Sequence, residues 1–369
     1  MWVSTVVAPS RSPPASMTYR VFGSAGSPYS VKVRSYFRYK DIDHVWVVRN
    51  SPEAMSEHAK YSKLPLVPTV VSPDGKAMQD STPIIEAMEA LFPEPAVHPA
   101  DGALRFVSEL LEEFGDEWGN KWMMHLRWYS ASSGPTTDAY ARRIAAELRS
   151  GAPPDTPGLA DEVAALAASF KDRMLGRGFT VGSSEHTAPI IERSYLDAIV
   201  LLEAHFATGR PYILGRSPSM ADFGLAGQLY QCFQDLLPGE QMRLHAPSVA
   251  LWCERMVNPR PVSGGGFEAW PTLAGTLEPF LASQVAMFLM WSDANSKALA
   301  AGSKDMSVDL GGGRIWRQAV GGPQRYHAKS LQELRRKHSR AAQAPGLSDI
   351  LGRCGCLELL QAGPGTSRL

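Results

Sequence analysis

The amino-acid sequence predicts an α/β domain followed by an all-helical domain. Between residues 18 and 91, strand-like and helix-like segments alternate in the order βαβαββα. After Phe92-Pro-Glu-Pro95, apolar residues recur at three- and four-residue spacing, which is typical of amphipathic helices. The 369 residues, 44% of them hydrophobic, correspond to about two domains at roughly 150 residues each. Both domains therefore have enough apolar side chains for a core.

The first domain, over residues 17–95, is predicted to hold one mixed sheet packed against helices. We predict strands at 18–22, 44–49, 67–71 and directly after residue 75, and helices after Ser27-Pro28, near 53–60 and over 82–91. The turn Ser72-Pro-Asp-Gly75 indicates a hairpin between the last two strands, because proline presets φ and glycine accepts a positive φ.

The second domain, over residues 100–340, is predicted to be all-helical. Its periodic segments are 104–129, 140–149, 192–207, 221–236 and 277–290. Residues 1–16 and 341–369 show little apolar periodicity, so we expect a disordered N-terminal tail and a loose C-terminal tail. Cys354 and Cys356 in the second tail lack CxxC spacing and a neighbouring histidine, and they predict neither a zinc site nor a disulfide framework.

The charge balance excludes several classes of partner. The chain holds 37 Lys and Arg residues and 37 Asp and Glu residues, so its net charge is zero before histidine. Nucleic acids and anionic membranes attract a concentrated excess of positive charge, and we expect neither as the main partner. The apolar run 279–292 is shorter than the ~20 residues of a membrane-spanning helix. A basic stretch at 325–340 has the pattern of a solvated helix face.

The segment 23–34 holds the first candidate site. Pro28 at the first helical position makes Ser27 the natural N-cap, with its hydroxyl near free backbone N–H groups. The positive end of the helix dipole would stabilise an anion there. An ordinary capping serine explains the same pattern, so this segment alone does not distinguish a site from a cap.

Two further motifs follow in the same domain. Val67-Pro68 precedes the third strand, and Asp80-Ser81 precedes the last helix. Together with Ser27-Pro28 at the first helix, this ordered set resembles the thioredoxin-like domain of glutathione S-transferases. The helical second domain also resembles that family. Within it, Ser219-Met-Ala-Asp222 is similar to the family's helix capping box, in which a serine and an acid three residues later bind backbone N–H groups.

The resemblance implies a glutathione-binding site. It implies that the Val67-Pro68 peptide bond is cis and that the Val67 backbone pairs with the cysteinyl part of glutathione. It also implies that Ser81 and helix N–H groups bind the γ-glutamyl carboxylate, while Asp80 faces the ammonium group. Without the resemblance, Pro68 would be an edge-strand proline and Asp80-Ser81 a helix cap.

Ser27 holds the position that separates serine-type from cysteine-type members of this family. A serine there can donate a hydrogen bond to the glutathione sulfur and favour the thiolate, whereas a cysteine would form mixed disulfides. The resemblance therefore implies a serine-type transferase in which the thiolate attacks a small apolar electrophile, a reaction typical of detoxification. Isomerisation, dehalogenation and peroxide reduction use the same kind of site and stay open.

An aromatic stripe is predicted on the helix over 104–129. Trp122, His125 and Tyr129 follow Trp118 at offsets of 4, 7 and 11 residues, which places all four on one helix face. In the resembled family the corresponding helix lines the pocket for the hydrophobic co-substrate, so Trp118, Trp122 and Tyr129 are candidate pocket residues. A stripe packed into the core explains the spacing equally well.

The same helix carries acidic residues. Asp116 and Glu117, with His125, are of residue types that bind metals. Glu117 and Lys121 also have the spacing of an ordinary i,i+4 ion pair, which is typical of a solvated helix face. We therefore predict a solvated face here and no metal cofactor.

Two other function classes stay open. A non-catalytic transferase-like module would bind ligands or assist assembly, and a glutathione-dependent thiol reductase is disfavoured by Ser27. Under the main interpretation glutathione is the co-substrate, a small hydrophobic electrophile is the second partner, and the family resemblance implies a homodimer. We expect a cytoplasmic location, although residues 1–16 have some features of an organellar targeting peptide.

Overall fold

A computed structural model of the chain describes residues 18–49, 51–62, 66–149, 156–262 and 264–361. The predicted tail 1–16 and residues 362–369 of the second predicted tail lie outside this described part. Within it, the order βαβαββα followed by a mostly helical region confirms the predicted fold class.

The first domain contains a four-stranded mixed sheet and three helices. Its elements are β1 (Tyr19–Gly23), α1 (Pro28–Tyr39), β2 (His44–Val48), α2 (Pro52–Tyr61), β3 (Thr69–Val71), β4 (Ala77–Gln79) and α3 (Ser81–Leu91). The strand order is β2-β1-β3-β4. β1 runs parallel to β2 and antiparallel to β3, and β3 runs antiparallel to β4.

The sheet has two different faces, because successive side chains of a strand point to opposite sides. Val21 and Val70 belong to the large core that continues into the helical region. Phe22 and Val71 belong to a small cluster that includes Ala54 of α2. The sheet therefore lies between α2 on one side and α1 with the helical region on the other.

The predicted hairpin joins β3 to β4. Gly75 has a φ of 83°, the positive value expected for this turn, and its N–H donates to Ser72 O at 2.9 Å. In the hairpin register, Val71 is opposite Ala77. The Pro-Asp-Gly signal was therefore sufficient to place this turn.

The second region is built mostly of helices. They are α4 (Gly102–Phe114), α5 (Asn120–Trp128), α6 (Gly134–Leu148), α7 (Leu159–Leu175), α8 (Ala188–Phe206), α9 (Met220–Gln234), α10 (Leu236–His245), α11 (Pro247–Arg255), α12 (Trp270–Phe280), α13 (Ala286–Ala300), α14 (Gly322–Ala341), α15 (Leu347–Arg353) and α16 (Leu357–Gln361). A π-helical turn at Gly115–Gly119 joins α4 to α5, and another at Leu281–Val285 joins α12 to α13. Each joined pair forms one long helix with a bulge.

The predicted capping box begins α9. Ser219 N donates to Asp222 Oδ2 at 2.9 Å. Asp222 Oδ1 accepts hydrogen bonds from Ile213 N at 2.9 Å and from Trp252 Nε1 at 3.0 Å. The Asp222 carboxylate thus connects the start of α9 to the preceding loop and to α11.

The C-terminal region differs from the prediction in two ways. An antiparallel hairpin of β5 (Asp305–Asp309) and β6 (Ile315–Ala319) interrupts the region predicted to be all-helical. Residues 341–361, predicted to be part of a loose tail, instead contain α15 and α16. These helices have seven and five residues, too few for an apolar period to be recognised in the sequence.

The two C-terminal helices pack into the main core. Leu347 and Leu351 are 0% exposed, and Leu360 is 2% exposed. Burial raises the pKa of Cys354 to about 11 and that of Cys356 to about 12, so both thiols are protonated at neutral pH. These cysteines act as small core side chains.

The long helix Trp270–Ala300, formed by α12 and α13, has the length and hydropathy of a helix that could cross a membrane. In the structure, 56% of its most apolar window is buried inside the protein. Leu277, Phe288 and Trp291 belong to the main core. The long helix therefore packs as a helix of the protein core.

Candidate functional site

Three predicted motifs lie at one edge of the sheet. Phe22 of β1 is opposite Thr69 of β3, which in turn is opposite Gln79 of β4. The chain therefore leaves β1, enters β3 and leaves β4 at the same edge. The loop before α1, the Val67–Pro68 peptide and Asp80 at the start of α3 lie there side by side. We call this the motif edge.

Ser27 is the N-cap of α1, as predicted. Its backbone has φ −95° and ψ 118°, and its Oγ accepts a hydrogen bond from Ser30 N at 3.3 Å. Pro28 occupies the first turn of the helix. The side chain is half-buried, and its hydroxyl hydrogen has no acceptor among the described residues. The hydroxyl can therefore donate to a ligand at the motif edge.

The other two motifs differ in exposure. The Val67–Pro68 peptide bond is cis, as the resemblance implied, and Pro68 is buried. Asp80 is exposed and has a φ of 80°, a backbone conformation that residues other than glycine rarely adopt and that often marks a ligand site. Ser81 is only 2% exposed. At the motif edge Asp80 is therefore the more exposed residue, and Ser81 is almost completely buried.

A buried ion cluster lies behind the motif edge, where α1 meets the long helix of α4 and α5. Lys32 Nζ donates to Asp116 Oδ2 at 2.6 Å and to Thr82 Oγ1 at 3.0 Å. It also donates to Glu112. Lys32 and Glu112 are each 1% exposed. Because Thr82 follows Ser81 in α3, the cluster connects the start of α3 to both α1 and the helical region.

The cluster determines the charge states of its members. Burial opposes the charge of Lys32, but Asp116 and Glu112 raise its pKa above the usual value. Burial raises the pKa of Asp116 to about 7, although Lys32 lowers it. Burial would also raise the pKa of Glu112, but Lys32 brings it below the usual value. Asp116 is therefore the member whose charge changes near neutral pH.

Side chains of the helical region hold the loop that leads into α1. Glu147 Oε1 accepts a hydrogen bond from Ala25 N at 2.9 Å. Gln231 Nε2 donates to Ala25 O at 2.8 Å, and Tyr140 Oη donates to Gly26 O at 3.0 Å. The loop backbone before Ser27 is therefore positioned by α6 and α9.

Arg127 supports Tyr140 from within the core. Its guanidinium lies 3.6 Å from the centroid of the Tyr140 ring, and its Nε donates to Asp235 Oδ2 at 2.7 Å. Arg127 is 1% exposed. The Tyr140 hydroxyl that contacts the loop is therefore part of a fixed, buried arrangement.

Two parts of the chain match models of one protein family. The model described as "Glutathione S-transferase, N-terminal domain" matches residues 21–96, which contain the whole motif edge. The model described as "Glutathione S-transferase, C-terminal domain" matches residues 185–255, which contain α9 and its capping box. These two regions are therefore similar to the two domains of glutathione S-transferases, in the same order along the chain. Comparison with curated proteins finds no match.

Several solved structures are similar to this chain. A glutathione S-transferase from Rhodospirillum rubrum F11 is 19% identical, covering 68% of this chain and 97% of that chain, with a TM-score of 0.38. The beta-etherase LigF from Sphingobium sp. strain SYK-6 is 19% identical, covering 71% of this chain and 100% of that chain, with a TM-score of 0.43. A maleylacetoacetate isomerase from Anaeromyxobacter dehalogenans 2CP-1, which has glutathione bound in its active site, is 20% identical, covering 65% of this chain and 95% of that chain, with a TM-score of 0.32.

The structure corrects the predicted aromatic pocket wall. Trp118 and Trp122 are 0% exposed, and both indole N–H groups donate to Ser194 Oγ, at 2.9 Å and 3.0 Å. Tyr129 is half-buried and its hydroxyl donates to Met174 O at 2.6 Å. The two tryptophans are core residues. Their spacing did not reveal this, because a helix face has the same period whether a helix or a ligand covers it.

The predicted solvated acidic face is also wrong. Glu117 pairs with His327 of α14 and forms no salt bridge with Lys121. Lys121 is 1% exposed, and its Nζ lies 3.6 Å from the centroid of the Trp291 ring. Burial lowers the pKa of Lys121 to about 7. The C-terminal region of the chain therefore covers this face of the long helix.

One group of metal-binding residue types comes together within the described ranges. Glu86, His98 and Glu109 each have one ligand atom within 4.8 Å of the other two. His98 Nε2 is 3.4 Å from Glu86 Oε2, and Arg105 Nε donates to Glu109 Oε1 at 3.2 Å. Lys337 interacts electrostatically with both acids. These cations already compensate the carboxylates, so the group supports no metal assignment.

The Lys32 cluster was not predicted from the sequence. The sequence did contain one indication of a buried cation partner. Glu112 and Asp116 carry like charges four residues apart, and such a pair destabilises a helix unless a cation neutralises it. Lys32 is 80 residues before Glu112, and no local spacing connects the two. Only the docking of α1 against α4 brings them together.

Proposed function

We propose that this chain is a serine-type glutathione transferase in which Ser27 stabilises the glutathione thiolate. The observation that carries the proposal is the convergence of the Ser27 N-cap, the cis Val67–Pro68 peptide and Asp80 at the motif edge. The family match over residues 21–96 includes all three motifs.

The proposed binding mode assigns one part of glutathione to each motif. The Val67 backbone pairs with the cysteinyl part, and the exposed Asp80 carboxylate faces the γ-glutamyl ammonium group. Backbone N–H groups at the start of α3 bind the γ-glutamyl carboxylate, since a helix N-terminus favours anions. Because Ser81 is buried, its hydroxyl can bind the γ-glutamyl carboxylate only if that carboxylate enters the protein below its surface.

The energies available at Ser27 are adequate for thiolate formation. Lowering a thiol pKa from ~8.5 to about 6.5 requires ~2.7 kcal/mol. A hydrogen bond to a charged acceptor supplies roughly 1.5–3 kcal/mol and a helix N-terminus about 0.3–1 kcal/mol. The thiolate then attacks an electrophilic carbon, forming the S–C bond as the leaving group departs with its electron pair.

Three further properties belong to the same proposal. The second substrate is a small apolar electrophile, the protein is a homodimer, and its location is cytoplasmic. The family resemblance supports the first two. Sedimentation equilibrium measures the oligomeric state, and a C-terminal fluorescent fusion reports the location.

A non-catalytic glutathione-binding module is the second candidate. The low exposure of Ser81, 2%, favours it, because a site with little access to this side chain would bind glutathione in a different pose. The loop before α1 is also held by the helical region, which limits adjustment around a reacting group. Binding without turnover would be its signature.

Calorimetry with glutathione tests the proposal. We expect the wild type to bind at millimolar glutathione, and Asp80→Ala to weaken binding because the ammonium loses its counter-charge. Asp74→Ala at the other end of the same hairpin is the matched control and should leave binding unchanged. Absence of wild-type binding would contradict the proposal. Binding with no turnover of aryl halides, epoxides, enones or hydroperoxides would favour the non-catalytic module.

A further inference from the structure

A cavity of about 140 Å³ lies between α1 and the pair α6 and α9. Val31, Arg34 and Arg38 line it from α1, because residues three, four and seven apart share one helix face. Arg143 of α6 and Tyr230 of α9 line the opposite wall. Three guanidinium groups therefore border one small space in a chain whose net charge is zero.

The two arginines of α1 are not neutralised by carboxylates. Arg38 Nη1 donates to the Val257 carbonyl at 2.7 Å, and within the described part of the chain Arg38 forms no ion pair. The Arg34 guanidinium lies 4.4 Å from the centroid of the Trp46 ring. Its Nε is buried and has no hydrogen-bond partner among the described residues. Neither arginine of α1 therefore has its charge neutralised by a carboxylate within the described part of the chain.

The two nearest acids are already engaged. Glu147 acts electrostatically on Arg34, but its Oε1 accepts the hydrogen bond from Ala25 N. Asp235 is 3.9 Å from Arg143 and only 2.7 Å from Arg127. Burial lowers the pKa of Arg34, and the neighbouring Arg38 lowers it further, which is the effect of uncompensated like charge. The cavity therefore has surplus positive charge.

We propose that this cavity binds a small organic carboxylate with an apolar body, of about the size of benzoate. Guanidinium groups bind carboxylates through paired N–H donors. The side chains of Val31 and Val257 and the ring of Tyr230 supply an apolar wall for the body of the ligand. A cavity of about 150 Å³ is known to hold a benzene ring. The proposal depends on neither glutathione nor Ser27.

Calorimetry with sodium benzoate, benzamide and inorganic phosphate tests this proposal on the full chain. We expect benzoate to bind at millimolar concentration and to bind more tightly than phosphate, which cannot use the apolar wall. Benzamide has the same shape without the charge and should bind at least about tenfold more weakly, as expected when a hydrogen bond to a charged group is lost.

A matched pair of variants on α6 locates the binding. Arg143→Gln should weaken benzoate at least about tenfold. Arg142→Gln, the exposed neighbour that does not line the cavity, should leave it unchanged. Arg38→Lys keeps the charge but removes the paired donors, so it should also weaken benzoate and serves if Arg143→Gln does not fold. The proposal is overturned by absence of benzoate binding, by tighter binding of phosphate, or by equal binding in the two glutamine variants.

Discussion

Lys32 and Asp116 form a buried ion pair where the α/β domain meets the helical region, with Nζ 2.6 Å from Oδ2. Lys32 also binds Glu112, which is equally buried. Removing one partner from a buried pair leaves the other charge desolvated and unpaired, a much larger loss than for an exposed pair. Docking of the α/β domain against the helical region therefore depends on the opposite charges of Lys32 and its two acidic partners.

Replacing Lys32 should be strongly destabilising. We expect Lys32→Met to lower the free energy of unfolding by about 3–5 kcal/mol, because both acids remain buried without their cation. Urea denaturation followed by circular dichroism measures this. Lys76→Met is the matched control, since Lys76 pairs with Asp74 at the surface, and it should change the free energy of unfolding far less than Lys32→Met. Similar losses in both variants would contradict the role of the cluster.

The stability should depend on pH through His205. Its ring nitrogens bond Thr276 Oγ1 at 2.8 Å and Ile213 O at 2.9 Å, and burial lowers its pKa to about 4. The usual value is ~6.5, so the unfolded chain binds a proton between about pH 6.5 and pH 4 that the folded protein does not. The contribution of neutral His205 is therefore present above about pH 6.5 and is lost as pH falls towards 4.

We expect the wild type to lose stability more steeply than His205→Gln over this range. Urea denaturation at intervals between the two pH limits gives the slopes. Asp116 and Asp222 titrate in both proteins, so the difference between the slopes isolates His205. His245→Gln, at an exposed position, should reproduce the wild-type slope. Identical slopes in wild type and His205→Gln would show that burial does not perturb this histidine.

The C-terminal helices should contribute to stability. Leu351 is 0% exposed, and Leu351→Ala should lower the free energy of unfolding by about 2–5 kcal/mol through the cavity it leaves. Leu244→Ala, at a residue 73% exposed, should change it by less than about 0.5 kcal/mol. Deletion from residue 342 onward, which a loose tail would tolerate, should destabilise more than Leu351→Ala. An unchanged melting temperature after that deletion would restore the loose-tail interpretation.

A side chain at Gly26 should displace helix α6. A Cβ there would lie 2.0 Å from Tyr140 Oη and 2.5 Å from Ile144 Cδ1. Tyr140 cannot easily yield, because its ring packs against Trp128 and Arg127. Overpacking of this kind costs about 1–3 kcal/mol, so Gly26→Ala should lower the melting temperature.

Gly134→Ala is the matched control for that substitution. Gly134 begins α6, and apart from its chain neighbours and its own helix backbone no heavy atom of the described residues lies within 4 Å of the position that a Cβ would take there, so alanine should be neutral or stabilising. Differential scanning calorimetry compares the two variants. Equal melting temperatures would mean that the loop before α1 moves freely relative to α6.

Under the proposed function, Ser27→Ala should reduce turnover while glutathione affinity changes little. Loss of ~1.5–3 kcal/mol of thiolate stabilisation corresponds to a decrease of roughly 10- to 150-fold. In Ser27→Ala, the pH at which the bound glutathione thiolate absorbs in the ultraviolet should also rise.

Ser27→Thr keeps the hydroxyl and the N-cap, and it should retain most of the activity. Ser27→Cys should gain disulfide-reductase activity. An unchanged rate and titration in Ser27→Ala would remove Ser27 from the mechanism.

Several local caps and turns could be predicted before the structure. Ser27-Pro28 is a cap, the turn ending at Gly75 is a hairpin signal, and Ser219 with Asp222 is a capping box. Each is an interaction between residues at most three or four apart, so residue types and spacing are sufficient to predict it. The order of Ser27-Pro28, Val67-Pro68 and Asp80-Ser81 along the chain then indicated the family resemblance.

Burial of the helix faces could not be predicted in the same way. Trp118 has the spacing of a pocket wall and lies in the core, and Glu117 has the spacing of a solvated pair and contacts His327 of α14. The decisive neighbour of Glu117 is 210 residues away.

The sequence by itself determined the order of elements in the first domain, the caps of α1 and α9 and the turn between β3 and β4, because those depend on local backbone preferences. Only the tertiary structure decided that Lys32 belongs to a buried ion cluster, that Leu351 belongs to the core and that Arg34 and Arg143 share a cavity. The physical reason is that burial and charge compensation depend on which distant segments pack together, and the period of a single helix carries no information about its partner.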